Sequence, residues 1–209
     1  MLLTTAFFPP VSWFAAAASD CGGSFCHVTL EACENYQKQS YRNRCRILSA
    51  GGVEDLSVPV VHEGGTFRLP IREIKVDYSV PWPAKFKRAI SSAYYSSAFF
   101  EYYRDGLFAV LDSAPATLWD LNLGVIEFFF RKIGLGLDLS LTEEFHAETL
   151  QGDHRFDIHP KKPDTILRDL GLEKPYFQVF SEKYGFRENL SIMDLLFNEG
   201  PSSIEYIAK

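Results

Sequence analysis

Leu2-Leu-Thr-Thr-Ala-Phe-Phe-Pro-Pro-Val-Ser-Trp-Phe-Ala-Ala-Ala-Ala18 is the stretch on which the fold turns. Its apolar run and alanine tail look like a secretory leader, yet no Lys or Arg precedes the run and Pro9 and Pro10 interrupt it. It is also too short and too broken to span a bilayer. As structure, it predicts a short strand over residues 2–5 and a helix starting at the prolines. Pro10 then falls at or near the first helical position, where its missing N–H costs nothing. A strand that hands directly to a helix is the opening of an α/β layer.

Outward from this unit, residues 28–31 read as a second strand and residues 41–48 as a third, stopped by Gly51-Gly52. Residues 56–61 and 71–77 are further strands. In the latter Ile71, Glu73, Lys75 and Asp77 share one parity and Ile74 and Val76 the other. Pro59 has no donor to give, which places its strand at an edge or a bulge. The period then changes from two to 3.6. Pro81 and Pro83 open a helix with Phe86, Ile90, Ala93, Tyr94 and Ser97 on one face, and residues 99–112 form another. Residues 117–133 are apolar nearly all round, so this helix is central to the core or covered by a partner, which leaves room for a homo-oligomer. Strand 137–141, a helix from Asp164 to Gly171, strand 176–180 and a helix from Ser191 to Gly200 follow. The expected fold class is α/β: a layered Rossmann-like sheet with an inserted helical segment over about residues 82–134, in a single domain of residues 1–209.

Composition narrows the function. With 46% apolar and 15% aromatic residues the chain can bury a sizeable core. A net charge of -6 argues against broad nucleic-acid binding, which needs a basic domain or stripe. Cys21, Cys26, Cys33 and Cys45 form no Cys-x-x-Cys, and the histidines complete no metal pattern. Reduced structural thiols in a cytoplasmic protein are expected, with no metal site and no membrane segment. The residues name no cofactor.

Against that acidic background, Glu34-Asn-Tyr-Gln-Lys-Gln-Ser-Tyr-Arg-Asn-Arg-Cys-Arg-Ile47 stands out. Lys38, Arg42, Arg44 and Arg46 fall within nine residues with no acid among them. If the chain is extended from Tyr41, Arg42, Arg44 and Arg46 share one face. Three planar guanidinium forks suit a phosphate or a carboxylate. A solvated strand face with acidic neighbours is the alternative. Gln37 and Asn43 would add neutral hydrogen bonds, although Asn43 could equally satisfy a turn. His62, at a strand end beside Glu63 and two glycines, is the candidate general base. Asp77, Tyr78 and Trp82 occupy a strand-to-helix junction, the usual ligand position in α/β sheets, with Asp77 as second catalytic candidate. A turn acid and a core anchor are the plainer readings of Asp77 and Trp82. Arg155, in Asp153-His-Arg155 before Asp157-Ile-His159, is a substrate contact or part of an exposed salt-bridged loop. Asn122, an amide in an apolar helix, must find partners in a network or a ligand. Asn189 and Asp194 are further contacts, with helix capping by Ser191 and Asp194 as the alternative.

Glu34 to Arg46, Pro59-Val-Val-His62, Asp77-Tyr-Ser-Val-Pro-Trp82, Asp120-Leu-Asn122 and the run from Asn189 to Pro201 resemble the WbqC-like family of bacteria over nearly the whole chain. The resemblance implies a place in O-antigen or other surface-polysaccharide biosynthesis, and for one branch a glycine-transferase role. More distant members carry paired acids on the second strand where Ala32 and Cys33 stand here, so Glu31 or Glu34 would have to substitute for them. The opening strand and helix also look like those of nucleotidyltransferase folds, but residues 7–14 lack the His-x-Gly-His signature. The expectation is a transferase acting on a small phosphorylated or nucleotide-activated sugar, with aminoacyl transfer as one form. The alternative is a non-catalytic binding or scaffold protein. A site on the arginine strand needs the three guanidiniums to converge on a cleft bordered by residue 62 and residues 77–82.

Overall fold

The opening strand and helix form as read, β1 (Leu2–Thr4) and α1 (Val11–Ala18); a two-residue β2 (Cys21–Gly22), not read from the sequence, precedes β3 (Phe25–Glu31), which starts three residues before the expected strand. This computed structural model describes residues 1–22, 25–61, 69–149 and 151–208. β1 and β3 are parallel, with Leu2 opposite Thr29 and Thr4 opposite Glu31. Every residue of α1 is buried, and its four alanines let the helix lie close to its neighbours. Trp13 donates its indole N–H to the Thr4 carbonyl at 2.9 Å, as a buried indole must find a partner.

A hairpin of β4 (Arg44–Ser49) and β5 (Gly52–Ser57) follows, its turn using Gly52 at φ 109°. Then come α2 (Trp82–Tyr94), α3 (Phe100–Asp112), α4 (Leu118–Ile133) and β6 (Gly136–Leu141). β6 pairs in parallel with β3 from Phe25 to Leu30, so β1 and β2 share the opposite edge of β3. The outer edge of β1 is closed by residues 152–154: Leu2 donates to the Gly152 carbonyl and His154 to that of Leu2, both at 2.9 Å. The short α5 (Ile166–Asp169), α6 (Ser181–Tyr184) and α7 (Ile192–Glu199) complete the chain.

α4 is the centre of the helical insertion. Thr117 caps it by accepting the Asp120 N–H at 3.1 Å, and Gly134 ends it in the left-handed region at φ 88°. Leu118, Leu121, Val125, Ile126, Phe129 and Phe130 are all fully buried by the same chain. Its all-round apolar surface therefore needs no partner molecule. Phe8 packs on Phe129 and Phe14 on Phe130, with ring centroids 5.7 and 5.1 Å apart, which fixes the β1–α1 unit against the insertion.

Four expectations are corrected. The strand expected over residues 56–61 is replaced by β5 (Gly52–Ser57), with only a single bridge at Val60 beyond it. Residues 71–77 form a 3-10 turn (Ile71–Glu73) and two single bridges, Val60 to Val76 and Lys75 to Thr117. The segment is clasped between residues 59–61 and 116–118, and Pro59, lacking an N–H, stops a ladder from extending. Residues 176–180 form no strand either; their side chains are used instead. Gln178 clamps the Arg187 backbone through both its amide atoms at 2.8 Å. Finally, Cys21 and Cys26, opposite each other across β2 and β3, are joined in a disulfide, so only Cys33 and Cys45 are free thiols. No helix among the described residues is long and apolar enough to cross a membrane.

Asp194, on α7, carries a fully enclosed carboxylate with no cation beside it. It accepts hydrogen bonds from the Tyr176 hydroxyl at 2.7 Å and the Gln178 amide at 2.9 Å. The nearby Tyr94 hydroxyl makes no well-formed bond of its own. Burial outweighs these donors and pushes the carboxyl up to about 6. A raised carboxyl binds its proton more tightly when folded, so its contribution is full below the unfolded value and is lost as pH rises through about 6. Between pH 5 and pH 7 the wild type should lose about 1 kcal/mol relative to Asp194→Asn, read as the difference in urea unfolding free energy. Parallel pH profiles for the two proteins would remove Asp194 as the source.

Candidate functional site

The three guanidiniums do not act as one. The chain becomes extended at Arg44, so Arg42 lies before β4 and turns inward. There it is 1% exposed and grips Glu34 with two parallel bonds, Nε to Oε1 at 3.0 Å and Nη2 to Oε2 at 2.6 Å. Arg44 and Arg46 remain on one strand face, but Asp55, across the hairpin on β5, receives Arg44 Nη1 at 3.2 Å and Arg46 Nε at 3.1 Å. Arg46 also donates Nη2 to the Pro160 carbonyl at 2.7 Å. The Arg44 Nε is buried without a partner.

Beside Glu34 and Arg42 lies a second buried ionic group. Glu31, at the end of β3 and 0% exposed, accepts from Arg155 Nη1 and the Thr142 hydroxyl, each at 2.6 Å, and from the Cys33 N–H at 2.8 Å. Arg155 also holds Asp153, with Nη2 to Oδ2 at 2.7 Å. Burial opposes the Asp153 charge, but these bonds hold its carboxyl below the ordinary value. Glu34 goes the other way: burial raises its carboxyl despite Arg42. Both acids that could have replaced the missing pair at Ala32 and Cys33 are thus consumed by arginines.

A cavity of about 460 Å³ opens where Arg46 meets residues 159–168 and 186–190. Arg46, Lys162, Arg168 and Arg187 line it, with Asp164, Glu173 and Glu188. Asp164 is fully engaged: Oδ2 accepts the Ser12 hydroxyl at 2.6 Å and the Asn189 amide at 2.8 Å, and Oδ1 the Ile166 N–H at 3.1 Å. Asn189 sits at φ 53°, a left-handed position Asn tolerates better than most residues. From there its Oδ1 accepts the Ser12 N–H at 2.9 Å, while Val11 N–H goes to the Leu190 carbonyl. The start of α1 is therefore plugged by its own chain, and the strand-to-helix opening offers these N–H groups to no phosphate.

His159 also lines the cavity. Its pKa is lowered by burial first and then by Arg42, Lys162, Lys161 and Arg44, so the ring is neutral at pH 7. Its Nδ1 accepts the Lys161 N–H at 3.1 Å, which puts the proton of the neutral ring on Nε2. His159 is therefore an uncharged donor, not a base. A smaller annex of about 190 Å³, bounded by Leu172, Pro175, Tyr176 and Tyr206 but also by Lys174, shares Leu167, Phe186, Asn189 and the two acids Glu173 and Glu188 with the cationic cavity.

Of the sequence-derived candidates, Arg46 and Asn189 line this cavity. Gln37 and Lys38 line a different one. Asn43 donates to the Val58 carbonyl at 2.9 Å, the backbone role considered for it. Asp77 accepts from both the N–H and hydroxyl of Ser79, a turn geometry, and Tyr78 donates to the Pro115 carbonyl. Trp82 is a core anchor against Phe7 and Phe86. None of these three lines the cationic cavity. Asn122 reaches the Arg42 carbonyl at 2.8 Å from within the core. Asp194 and Arg155, read as substrate contacts with helix capping and an exposed salt-bridged loop as their alternatives, are enclosed in the networks above. His62 lies outside the described residues. His159 belongs to the polar segment noted in the sequence, but Lys162, Arg168 and Arg187 escaped the reading, since they are scattered over loops and the short α5; the basic pair Lys161-Lys162 between Pro160 and Pro163 was the available signal.

The profile of the WbqC-like protein family matches residues 6–167. The chain is also similar to the uncharacterized protein Rv1507c of Mycobacterium tuberculosis, 23% identical over 194 residues that cover 82% of this chain and 83% of that protein. No solved structure matches.

Two arginines of the same short segment should behave oppositely. Arg42→Ala strands a buried carboxylate and should cost about 3–5 kcal/mol. Arg44→Ala removes a half-exposed pair shared with Arg46 and should cost less than about 1 kcal/mol. Urea denaturation of the two variants checks this, and equal costs would contradict the assignment.

Proposed function

The chain belongs to the WbqC-like protein family, and on that premise we propose that it is a transferase for a nucleotide-activated sugar in bacterial surface-polysaccharide biosynthesis. One observation carries this reading: the cationic cavity at Arg46 adjoins a smaller annex with shared walls. Phosphates suit Arg46, Lys162 and Arg187, with neutral His159 as a further donor. A flat base suits the annex beside Phe186 and Tyr206. A sugar phosphate alone would leave the annex unfilled.

Aminoacyl transfer, glycine included, is the form the family suggests. In that reaction the sugar amine attacks the acyl carbonyl, a C–N bond forms and the bond to the leaving group breaks with its electron pair. The amine proton must go to a base. Asp164 is engaged and His159 is a donor, so we assign the proton to His62 and keep Asp77 as a secondary candidate. The reading places the protein in the cytoplasm, where reductants hold thiol pairs open, so the Cys21–Cys26 bond belongs to the oxidised protein. Recognition without turnover, as in a scaffold protein, is the competing reading; it is favoured by the lack of a free histidine or buried carboxylate base among the described cavity residues.

Calorimetric titration with a nucleoside diphosphate sugar and with the matching sugar 1-phosphate tests binding. Tighter binding of the former is expected, weakened about tenfold or more in Arg46→Ala, since a charge-assisted bond contributes about 1.5–3 kcal/mol. Incubation with an amino-sugar nucleoside diphosphate as acceptor, nucleoside triphosphate to activate the acyl group and glycine, followed by mass spectrometry, tests turnover. A product that disappears in His62→Ala supports the transferase. Binding without product, unchanged in His62→Ala, supports the scaffold reading, and absence of binding to either ligand overturns both.

A further inference from the structure

A second cavity, of about 670 Å³, is lined by Cys33, Asn35, Gln37, Lys38, Gln39 and Phe145, together with Glu34 and Tyr36 at its base. β3 ends at Glu31 and β6 at Leu141, so residues 33–39 and Phe145 follow the carboxyl ends of two adjacent parallel strands. Ligands of open α/β sheets bind at that end.

The lining decides what fits. Its one acid, Glu34, spends its carboxylate on Arg42. Its one cation is Lys38, too little for a polyphosphate. Among the described residues no group of three His, Cys, Asp or Glu could hold a metal ion. What remains is three side-chain amides, of which Gln39 is held by Lys161, and two aromatic rings, of which Tyr36 is buried and Phe145 exposed. Phe145 is 45% exposed, and the Arg155 guanidinium lies 5.2 Å from its centroid. Because Arg155 is locked by Asp153 and Glu31, the ring is a braced platform. A ring of C–H groups stacks on an aromatic face while the hydroxyls at its edge meet amides.

We propose that this cavity binds an uncharged, hydroxyl-rich sugar ring, stacked on Phe145 and hydrogen-bonded by Asn35 and Gln37, at a site separate from the cavity at Arg46. Gln39 helps fix the wall: it holds a left-handed backbone at φ 58° and its side-chain carbonyl accepts from Lys161.

Cys33 supplies the readout. It is exposed and lies on the cavity wall, while Cys45 is buried and the other two cysteines are bonded to each other. Alkylation by uncharged iodoacetamide, followed at Cys33 by peptide mass spectrometry, should slow at least threefold and saturably with methyl glucoside, methyl galactoside or N-acetylglucosamine. Linear sorbitol should leave the rate unchanged. Phe145→Ala should abolish the protection, and Gln37→Ala, an exposed position, should weaken it without change in melting temperature. Arg46→Ala should leave it intact, so failure here is distinct from failure at the cationic cavity. No protection by any of the three sugars, equal protection by sorbitol, or full protection in both Phe145→Ala and Gln37→Ala would overturn the proposal.

Discussion

Glu31, Glu34, Arg42, Asp153 and Arg155 are buried together at the carboxyl end of β3, and each is at most 9% exposed. Removing five charges from water is costly, and the cost is recovered only if nearly every donor and acceptor is matched. They are matched by bidentate and charge-assisted bonds as short as 2.6 Å, with backbone groups of Cys33 and His146 filling remaining positions. This constraint joins the end of β3, the loop before β4 and the segment that borders β1. Both cavities are built on its margins.

The network also separates two kinds of arginine. Arg42 and Arg155 are structural, because their charges are neutralised inside the protein. Arg46, with Lys162, Arg168 and Arg187, faces a cavity that solvent reaches. His159 stands between the two groups and faces the cavity; burial first, then the fields of Arg42 and the neighbouring lysines, lower its pKa. An uncharged ring among four cations and three carboxylates adds no charge to the empty cavity yet keeps one more donor for an anion.

Much of the architecture was legible in the chain. The β1–α1 opening followed from Pro9-Pro10 and the alanine run, and the central position of α4 from its all-round apolar surface. The misread strands failed for tertiary reasons: residues 71–77 alternate correctly but meet a different neighbour on each side, and residues 176–180 are held by Tyr176 and Gln178 side chains. The site was less legible, because local charge says nothing about distant partners. Arg44 and Arg46 looked unopposed until the hairpin brought Asp55 across from them. Glu34 opened the same basic segment, but only the inward turn at Arg42 revealed it as a counter-ion. The surrounding loop cations share no periodicity that a reading along the chain could detect.

Arg155 reaches across 124 positions of sequence to Glu31, and the adjacent backbone holds both the N–H and the carbonyl of Leu2 on the outer edge of β1. Covalent continuity between Thr142 and Asp153 is thus not what keeps the final quarter of the molecule in place. A protease cutting there should sever the chain and leave two fragments still associated, through the buried ion pairs and through Ile192, Leu195, Leu196 and Phe197 of α7 in the common core.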